Sequence, residues 1–364
     1  MRRKLNFHHF DKILFFTPVL IFIIGIVSIY SASFKSQQAF DDSLAMKQVY
    51  WMAVGILLVF LMVRNDYYKL MDWVWPFYFF SLFLLVLVLF APARLGAHRW
   101  LSFPGVRFQP SELAKLAVIL ALARFFTENR AEFISKQKMI VPFLIVGVPF
   151  LLILKEPDLG TGLILVPVFF AMLYLWGFRT RILLALIGFA LLLSPVFTVF
   201  LKEYQKARLL VFMNPNLDPL GTGYTIIQSK IAIGSGGLWG KGFLGGTQNV
   251  LKFLPERHTD FIFGVIGEEG GFVATAAVAL LFWVIVKRGF LICGQTQDRF
   301  GSQLACGIST MLGLQAVINL GMTMGLLPVV GVPLPLVSYG GTSVIMTMLA
   351  IGLLLNIKIH RSLP

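Results

Sequence analysis

Ile13-Leu14-Phe15-Phe16-Thr17-Pro18-Val19-Leu20-Ile21-Phe22-Ile23-Ile24-Gly25-Ile26-Val27-Ser28-Ile29-Tyr30 carries no charge, and Arg2, Arg3, Lys4 and Lys12 precede it. A helix needs roughly 20 apolar residues to cross the hydrocarbon of a bilayer, so this stretch and its weakly polar flanks read as a membrane span. Its length and the lack of a convincing small-residue cleavage site argue for a retained helix rather than a removed leader. The same reading applies to 79–91, 139–154, 159–176, 182–201, 272–286 and 344–357, and to the shorter or more polar runs 51–63, 113–126 and 304–327. By the length rule, these make about ten spans. Apolar residues form 57% of the chain and charged ones 13%, with a mean hydropathy of +0.82. A water-soluble core cannot absorb that much apolar surface. The expectation is an all-α, polytopic membrane helix bundle forming a single domain over residues 1–364. It includes outer segments 92–110 and 202–260, the second a large loop before the eighth span.

Basic residues set the orientation. With a cytoplasmic amino terminus, the inner connections carry Arg64 and Lys69, Arg124 and Lys138, Arg179 and Arg181, Lys287, Arg288 and Arg299, then Lys358 and Arg361. The short outer connections are poor in Lys and Arg, which puts both termini inside. Segments 92–110, with Arg94, Arg99 and Arg107, and 202–260 break the pattern; long outer segments translocate despite charge, so their cations need a separate purpose. The net charge of +14 follows from these orienting residues and attraction to anionic lipid, and no nucleic-acid motif accompanies it. Cys293 and Cys306 offer neither a disulfide framework nor a thiolate metal cage.

In a membrane protein the informative residues are ionisable groups that loop solvation does not explain. Arg107-Phe108-Gln109-Pro110-Ser111-Glu112-Leu113-Ala114-Lys115 leads into the fourth span, with Pro110 at a first helical position and Glu112 and Lys115 one turn apart. A structural ion pair and a substrate-binding pair are both open. In Lys155-Glu156-Pro157-Asp158-Leu159-Gly160-Thr161-Gly162, Asp158 is suited to capping the sixth span. Leu254-Pro255-Glu256-Arg257-His258-Thr259-Asp260-Phe261 leaves the Asp260 carboxylate at the start of the eighth span, as a helix cap or as a general base. Glu268 lies about 12 Å further along that helix and requires a partner or a cavity. The stretch 222–233 reads as amphipathic and interfacial. Gly234-Ser235-Gly236-Gly237-Leu238-Trp239-Gly240-Lys241-Gly242 lacks the first glycine and the final Ser or Thr of a nucleotide phosphate loop; a backbone nest for pyrophosphate and simple flexibility are both open. The segment 327–343 holds too many prolines and glycines for a helix, and irregular backbone at that depth is expected to line a cavity. Its Ser338, Thr342 and Ser343 are open between capping and ligand binding.

Together these motifs resemble the SEDS family (shape, elongation, division and sporulation). The resemblance is carried by Phe108-Gln109-Pro110-Ser111-Glu112 with Lys115, Glu156-Pro157-Asp158-Leu159-Gly160-Thr161, Pro255-Glu256-Arg257-His258-Thr259-Asp260-Phe261-Ile262-Phe263, Gly267-Glu268-Glu269 and Pro333-Leu334-Pro335-Leu336-Val337-Ser338-Tyr339-Gly340-Gly341. It spans essentially the whole chain. Asn214-Pro215-Asn216-Leu217-Asp218-Pro219 and Val330-Gly331-Val332-Pro333 look like the elongation members rather than the division members.

The resemblance implies an inverting peptidoglycan glycosyltransferase of the bacterial cytoplasmic membrane, polymerising lipid II into a nascent glycan strand at the outer face. It further implies a class B penicillin-binding protein and other elongation-complex membrane proteins as partners. Asp260, matching the family's essential aspartate, would deprotonate the acceptor hydroxyl. Glu112, Lys115, Asp158 and Ser338 would belong to the substrate cavity, and some of Arg94, Arg99, Arg107, Lys241 and Arg257 would stabilise the pyrophosphate charge. No cofactor is assigned; a divalent cation bridging Asp260 and the pyrophosphate is conceivable, without a dedicated metal cage in the sequence. A lipid II flippase and a non-catalytic scaffold of a cell-wall synthase are the rival readings.

Overall fold

The computed structural model describes residues 10–33, 43–92, 99–103, 106–129, 138–197, 203–218, 221–251 and 253–360. The described residues are mostly helical. The long helices are α1 (Lys12–Ser33), α2 (Ser43–Arg64), α3 (Leu70–Leu89), α4 (Pro110–Glu128), α5 (Ile140–Lys155), α6 (Leu159–Leu175) and α7 (Thr180–Phe197). After α8 (Glu203–Met213), α9 (Thr222–Ser235) and the single turn α10 (Thr247–Val250) come α11 (Ile262–Gln295), α12 (Arg299–Thr323) and α13 (Gly341–His360).

Among the described residues, α1, α2, α3 with its 3-10 lead-in, α11, α12 and α13 are long and apolar enough to cross a membrane, while α5 and α6 are shorter apolar helices. Burial sorts them. α13 has 78% of its most apolar window inside the protein and α12 has 67%, against 28% for α2 and α3. The first two form the centre, and the others turn Phe60, Trp73, Phe79 and Phe83 outward, as lipid-facing helices do. α4 is buried along almost its whole length, from Pro110 to Phe126. Protein on all sides lets it hold an internal ion pair where a lipid-facing helix would not.

Local chemistry sets the helix starts at the Asp260 end. Pro110 occupies the first turn of α4, where its missing N–H costs nothing. The Asp158 side chain accepts from the Thr161 amide at 3.4 Å and caps α6. Between α3 and α4, strands β1 (Leu101–Phe103) and β2 (Val106–Phe108) pair antiparallel, with Leu101 opposite Phe108, and this hairpin carries Arg107 beside α13. Segment 203–251 is folded onto the bundle. α9 turns one side of its amphipathic pattern against protein. It packs on α11 and α12, burying Ile226 and Ala232, and Ser229 donates to the Thr323 carbonyl at 2.7 Å. Its apolar stripe is used against protein, an alternative that periodicity alone does not distinguish.

α11 breaks at Gly271, whose φ of 64° and ψ of −161° interrupt the helix. The glycine-rich loop docks here, backbone to backbone. The amides of Lys241 and Gly242 donate to the carbonyls of Glu268 and Glu269 at 3.0 Å each, and Phe272 donates to the Gly237 carbonyl at 2.9 Å. A Cβ on Gly240 would collide with the Glu269 carbonyl, so this approach requires glycine.

Candidate active site

Asp260 sits one residue before the end cap of α11, half-buried. Its backbone is pinned by Asn319 of α12, whose Nδ2 donates to the Asp260 carbonyl at 3.0 Å and to the Val332 carbonyl at 2.8 Å. Among the described residues, no hydrogen bond reaches its carboxylate. Burial, then the nearby Glu256, raise its pKa to about 6, while Arg208 and Arg99 pull it down and Asp158 adds a smaller push upward. An aspartate poised near neutrality and lacking a fixed partner is suited to accepting a proton. Two non-glycine residues of the surrounding loops are left-handed, Glu256 with φ 47° and Leu336 with φ 66°, a strained conformation that often accompanies functional sites.

The proline-rich segment 327–340 is irregular and packs beside Asp260. Val332, Leu334, Leu336, Val337 and Ser338 are buried. Ser338 is fully engaged there: its hydroxyl donates to the Thr259 carbonyl at 2.7 Å and accepts from the Leu334 amide at 2.8 Å. Gln48 of α2 reaches across to donate to the Ser338 carbonyl at 2.9 Å and accept from the Gly340 amide at 3.1 Å, and the Tyr339 amide donates to the His258 carbonyl at 2.9 Å. Ser338 therefore ties this segment to the one that carries Asp260. A Cβ on Gly331 would lie 3.3 Å from Asp260 Oδ2, so the proline-rich segment meets the carboxylate directly.

Asp158 faces the same site. Besides capping α6, it accepts from Gln109 Nε2 at 3.1 Å and Ser111 Oγ at 3.3 Å. The guanidinium of Arg99 donates to the Pro157 carbonyl and acts electrostatically on Asp260. Glu112 and Lys115 form an ion pair of 2.7 Å at 3% and 2% exposure, close in sequence to Ser111 but enclosed within α4's surroundings. Arg107 is exposed and holds the hairpin to α13 through its carbonyl, which accepts from Thr342 Oγ1 at 3.1 Å. Arg94 lies outside the described residues.

Two of the expected cations are committed elsewhere. Lys241 is paired with Glu268 at 2.7 Å and donates to Thr247 Oγ1 at 3.0 Å. The Arg257 guanidinium donates to the Asn249 carbonyl, and burial lowers its pKa. Glu268 has the partner its depth requires: the same oxygen that meets Lys241 also accepts from Thr247 Oγ1 and the Gln248 amide, each at 3.0 Å. With the amides of 241 and 242 bonded to α11, these two do not form an anion nest. Conversely, Arg208 of α8, which no sequence motif marks, acts electrostatically on Asp260. It is one basic residue among many in a long segment, and only folding brings it within electrostatic reach of Asp260.

A family model described as "Cell cycle protein", covering FtsW, RodA and SpoVE, matches residues 11–363. The chain belongs to this family. It is 39% identical over 349 residues to the peptidoglycan glycosyltransferase MrdB of Escherichia coli K12, covering 95% of this chain and 94% of that one. It is 38% identical over 357 residues to the stage V sporulation protein E of Bacillus subtilis, covering 96% of each. Among solved structures, a chain from a peptidoglycan synthase complex that coordinates polymerization and crosslinking superimposes with a TM-score of 0.82 at 33% identity, covering 98% of this chain and 99% of that one. The rod shape determining protein RodA of Thermus thermophilus superimposes with a TM-score of 0.72 at 30% identity, covering 98% of each chain. The protein is thus a membrane-embedded SEDS protein.

Proposed function

We propose that this protein is a peptidoglycan glycosyltransferase that polymerises lipid II at the outer face of the bacterial cytoplasmic membrane, in the service of elongation and cell shape. The observation that carries this reading is Asp260: a half-buried carboxylate, free of fixed partners and facing Arg99, Arg208 and Asp158, in a family whose named members include glycosyltransferases.

Asp260 takes the proton of the acceptor sugar hydroxyl as that oxygen attacks the anomeric carbon of the donor. The bond from that carbon to the pyrophosphate oxygen breaks, its electron pair leaves with undecaprenyl pyrophosphate, and the configuration inverts. The leaving group is already acidic, so one carboxylate suffices. Arg99 and Arg208 meet the pyrophosphate charge, with Arg107 and Arg94 nearby in sequence to Arg99; a guanidinium fork suits phosphate oxygens. Asp158 and Ser338 position the walls, and the Glu112–Lys115 pair supports the start of α4. If the reaction uses a divalent cation, the Asp260 carboxylate would help to hold it and the ion would supply charge neutralisation for the leaving pyrophosphate; among the described residues no three His, Cys, Asp or Glu side chains converge into a cage.

In this reading the ten long helices α1 to α7 and α11 to α13 are the spans, with both termini cytoplasmic and the Asp260 end outside. The likeness to a chain of a peptidoglycan synthase complex supports a class B penicillin-binding protein as partner, and the likeness to a rod shape determining protein supports the elongation role.

The test is incubation of purified protein, with its partner transpeptidase, with lipid II in detergent, resolving glycan strands by size. Wild type is expected to make polymer, and Asp260→Asn to lose on the order of 10²- to 10⁴-fold, the usual worth of a general base. Unchanged polymerisation by Asp260→Asn sinks the assignment. Lipid II movement across vesicles, without polymer from a folded complex, favours a flippase.

A further inference from the structure

Glu156, at the end of α5, has no exposed surface, and neither of its carboxyl oxygens has a hydrogen-bond partner. Its backbone is fixed, the amide donating to the Ile153 carbonyl at 3.1 Å and to that of Leu152 at 3.2 Å. A buried carboxylate with no donor on either oxygen is too costly to remain ionised. Burial, with Asp158 adding to it and Arg99 opposing, pushes its pKa up to about 9. Asp158, from the turn into α6, and Arg99, from the segment before β1, are the charged groups that face it.

Arg99 shows the complementary defect. One Nη donates to the carbonyl of Pro157, the residue after Glu156, but its buried Nε has no partner. An unused N–H and two unused carboxyl oxygens thus lie within electrostatic reach of one another. The guanidinium fork presents Nε–H and Nη–H at the spacing of the two oxygens of a carboxylate. All three orphan atoms would be satisfied together by a bidentate pair, and that pair requires the ionised acid.

We propose that Glu156 is a positioning residue for Arg99: while it holds a proton it leaves the guanidinium beside Asp260, and once ionised it takes the guanidinium into a bidentate pair and withdraws it from the reaction site. This rests on the reading above, in which Arg99 serves donor binding. Withdrawal of Arg99 weakens capture of the pyrophosphate and removes a cation that favours the ionised form of Asp260. The expected kinetic signature is therefore a rise in KM for lipid II at alkaline pH, with a smaller change in kcat.

The experiment is a set of initial polymerisation rates from about pH 6 to about pH 10, the range that brackets the titration of a buried acid. Wild type is expected to lose kcat/KM above a pH of about 9, with KM rising by roughly tenfold, the worth of a charged hydrogen bond. Glu156→Gln keeps a neutral side chain of the same shape. It is expected to retain neutral-pH activity and to lose that alkaline limb, and in an Arg99→Ala background it should change nothing further. Coincident alkaline limbs for wild type and Glu156→Gln overturn the proposal, as does an inactive but folded Glu156→Gln at neutral pH.

A second readout needs neither turnover nor that variant. The infrared band of a protonated carboxyl should vanish as wild type is titrated through about pH 9, and Arg99→Ala should move that transition to higher pH by removing the opposing cation. No such shift overturns the proposal even if Glu156→Gln does not fold. Failure of wild type to polymerise at all would instead strike the glycosyltransferase reading, leaving the infrared result to stand on its own.

Discussion

Two aspartates at opposite ends of the bundle show how partners decide the use of a carboxylate. Asp11, before α1, is 5% exposed. It accepts from Lys358 Nζ at 2.5 Å, from the Leu14 amide at 3.0 Å and from Arg288 at 3.5 Å. Burial would raise its pKa, but the bonds from Lys358 and Leu14 and the two positive charges prevail and hold it below the usual value. Asp260 has charges around it but no bond to its carboxylate, and its pKa goes up to about 6. The first aspartate fastens α1, α11 and α13 together; the second keeps its oxygens available. The same distinction separates the paired Glu112 and Glu268 from the unpaired Glu156.

That contrast can be broken from the structural side. Replacing Lys358 with Met leaves Asp11 buried with Arg288 as its remaining cation. The expected loss is on the order of 2 kcal/mol, below the usual 3–5 for a broken buried pair because Lys358 is partly exposed and Arg288 persists. Thermal unfolding in detergent should show it, with kcat per folded molecule unchanged. Lys241→Met should act in the same way through Glu268, costing stability without a specific rise in KM. A selective rise in KM would return Lys241 to the substrate.

Arg208→Ala sharpens the other side. It removes a cation that lowers the Asp260 pKa, so the acidic limb of the pH–rate profile should move upward from about 6, with KM for lipid II rising by roughly tenfold. An unmoved limb would detach Arg208 from Asp260.

The same contrast extends to stability against pH. Asp11 binds its proton less readily when folded, so its contribution is present at neutral pH and is lost as pH falls through its lowered pKa. Glu156 is the reverse: the folded state retains a proton that the unfolded chain has released, so stability declines as pH rises from the ordinary carboxyl range to about 9. Unfolding midpoints should fall over that window in wild type and fall less in Glu156→Gln.

Much of this was legible in the sequence because the bilayer imposes a simple rule of length and hydropathy. It brought out the apolar runs, the irregular 327–340 segment, the position of Asp260 just before a span and the need of Glu268 for a partner. What was not legible depends on which surfaces meet. The apolar stripe of α9 is the same whether it faces lipid or α11. Lys241 is a free cation in a glycine loop until the loop is laid along the Gly271 break. Arg208 gains meaning only from its nearness to Asp260, and the isolation of Glu156 is a property of its surroundings, to which no motif refers.

The most direct test of the central claim is the pH dependence of lipid II polymerisation on its acidic side, measured as kcat/KM for wild type together with the residual rate of Asp260→Asn. If Asp260 is the base, the wild-type rate falls below a pH of about 6 by about tenfold per unit, as one ionisation requires, and the residual Asn rate shows no such limb. An acidic limb of the same position and slope in Asp260→Asn would contradict it.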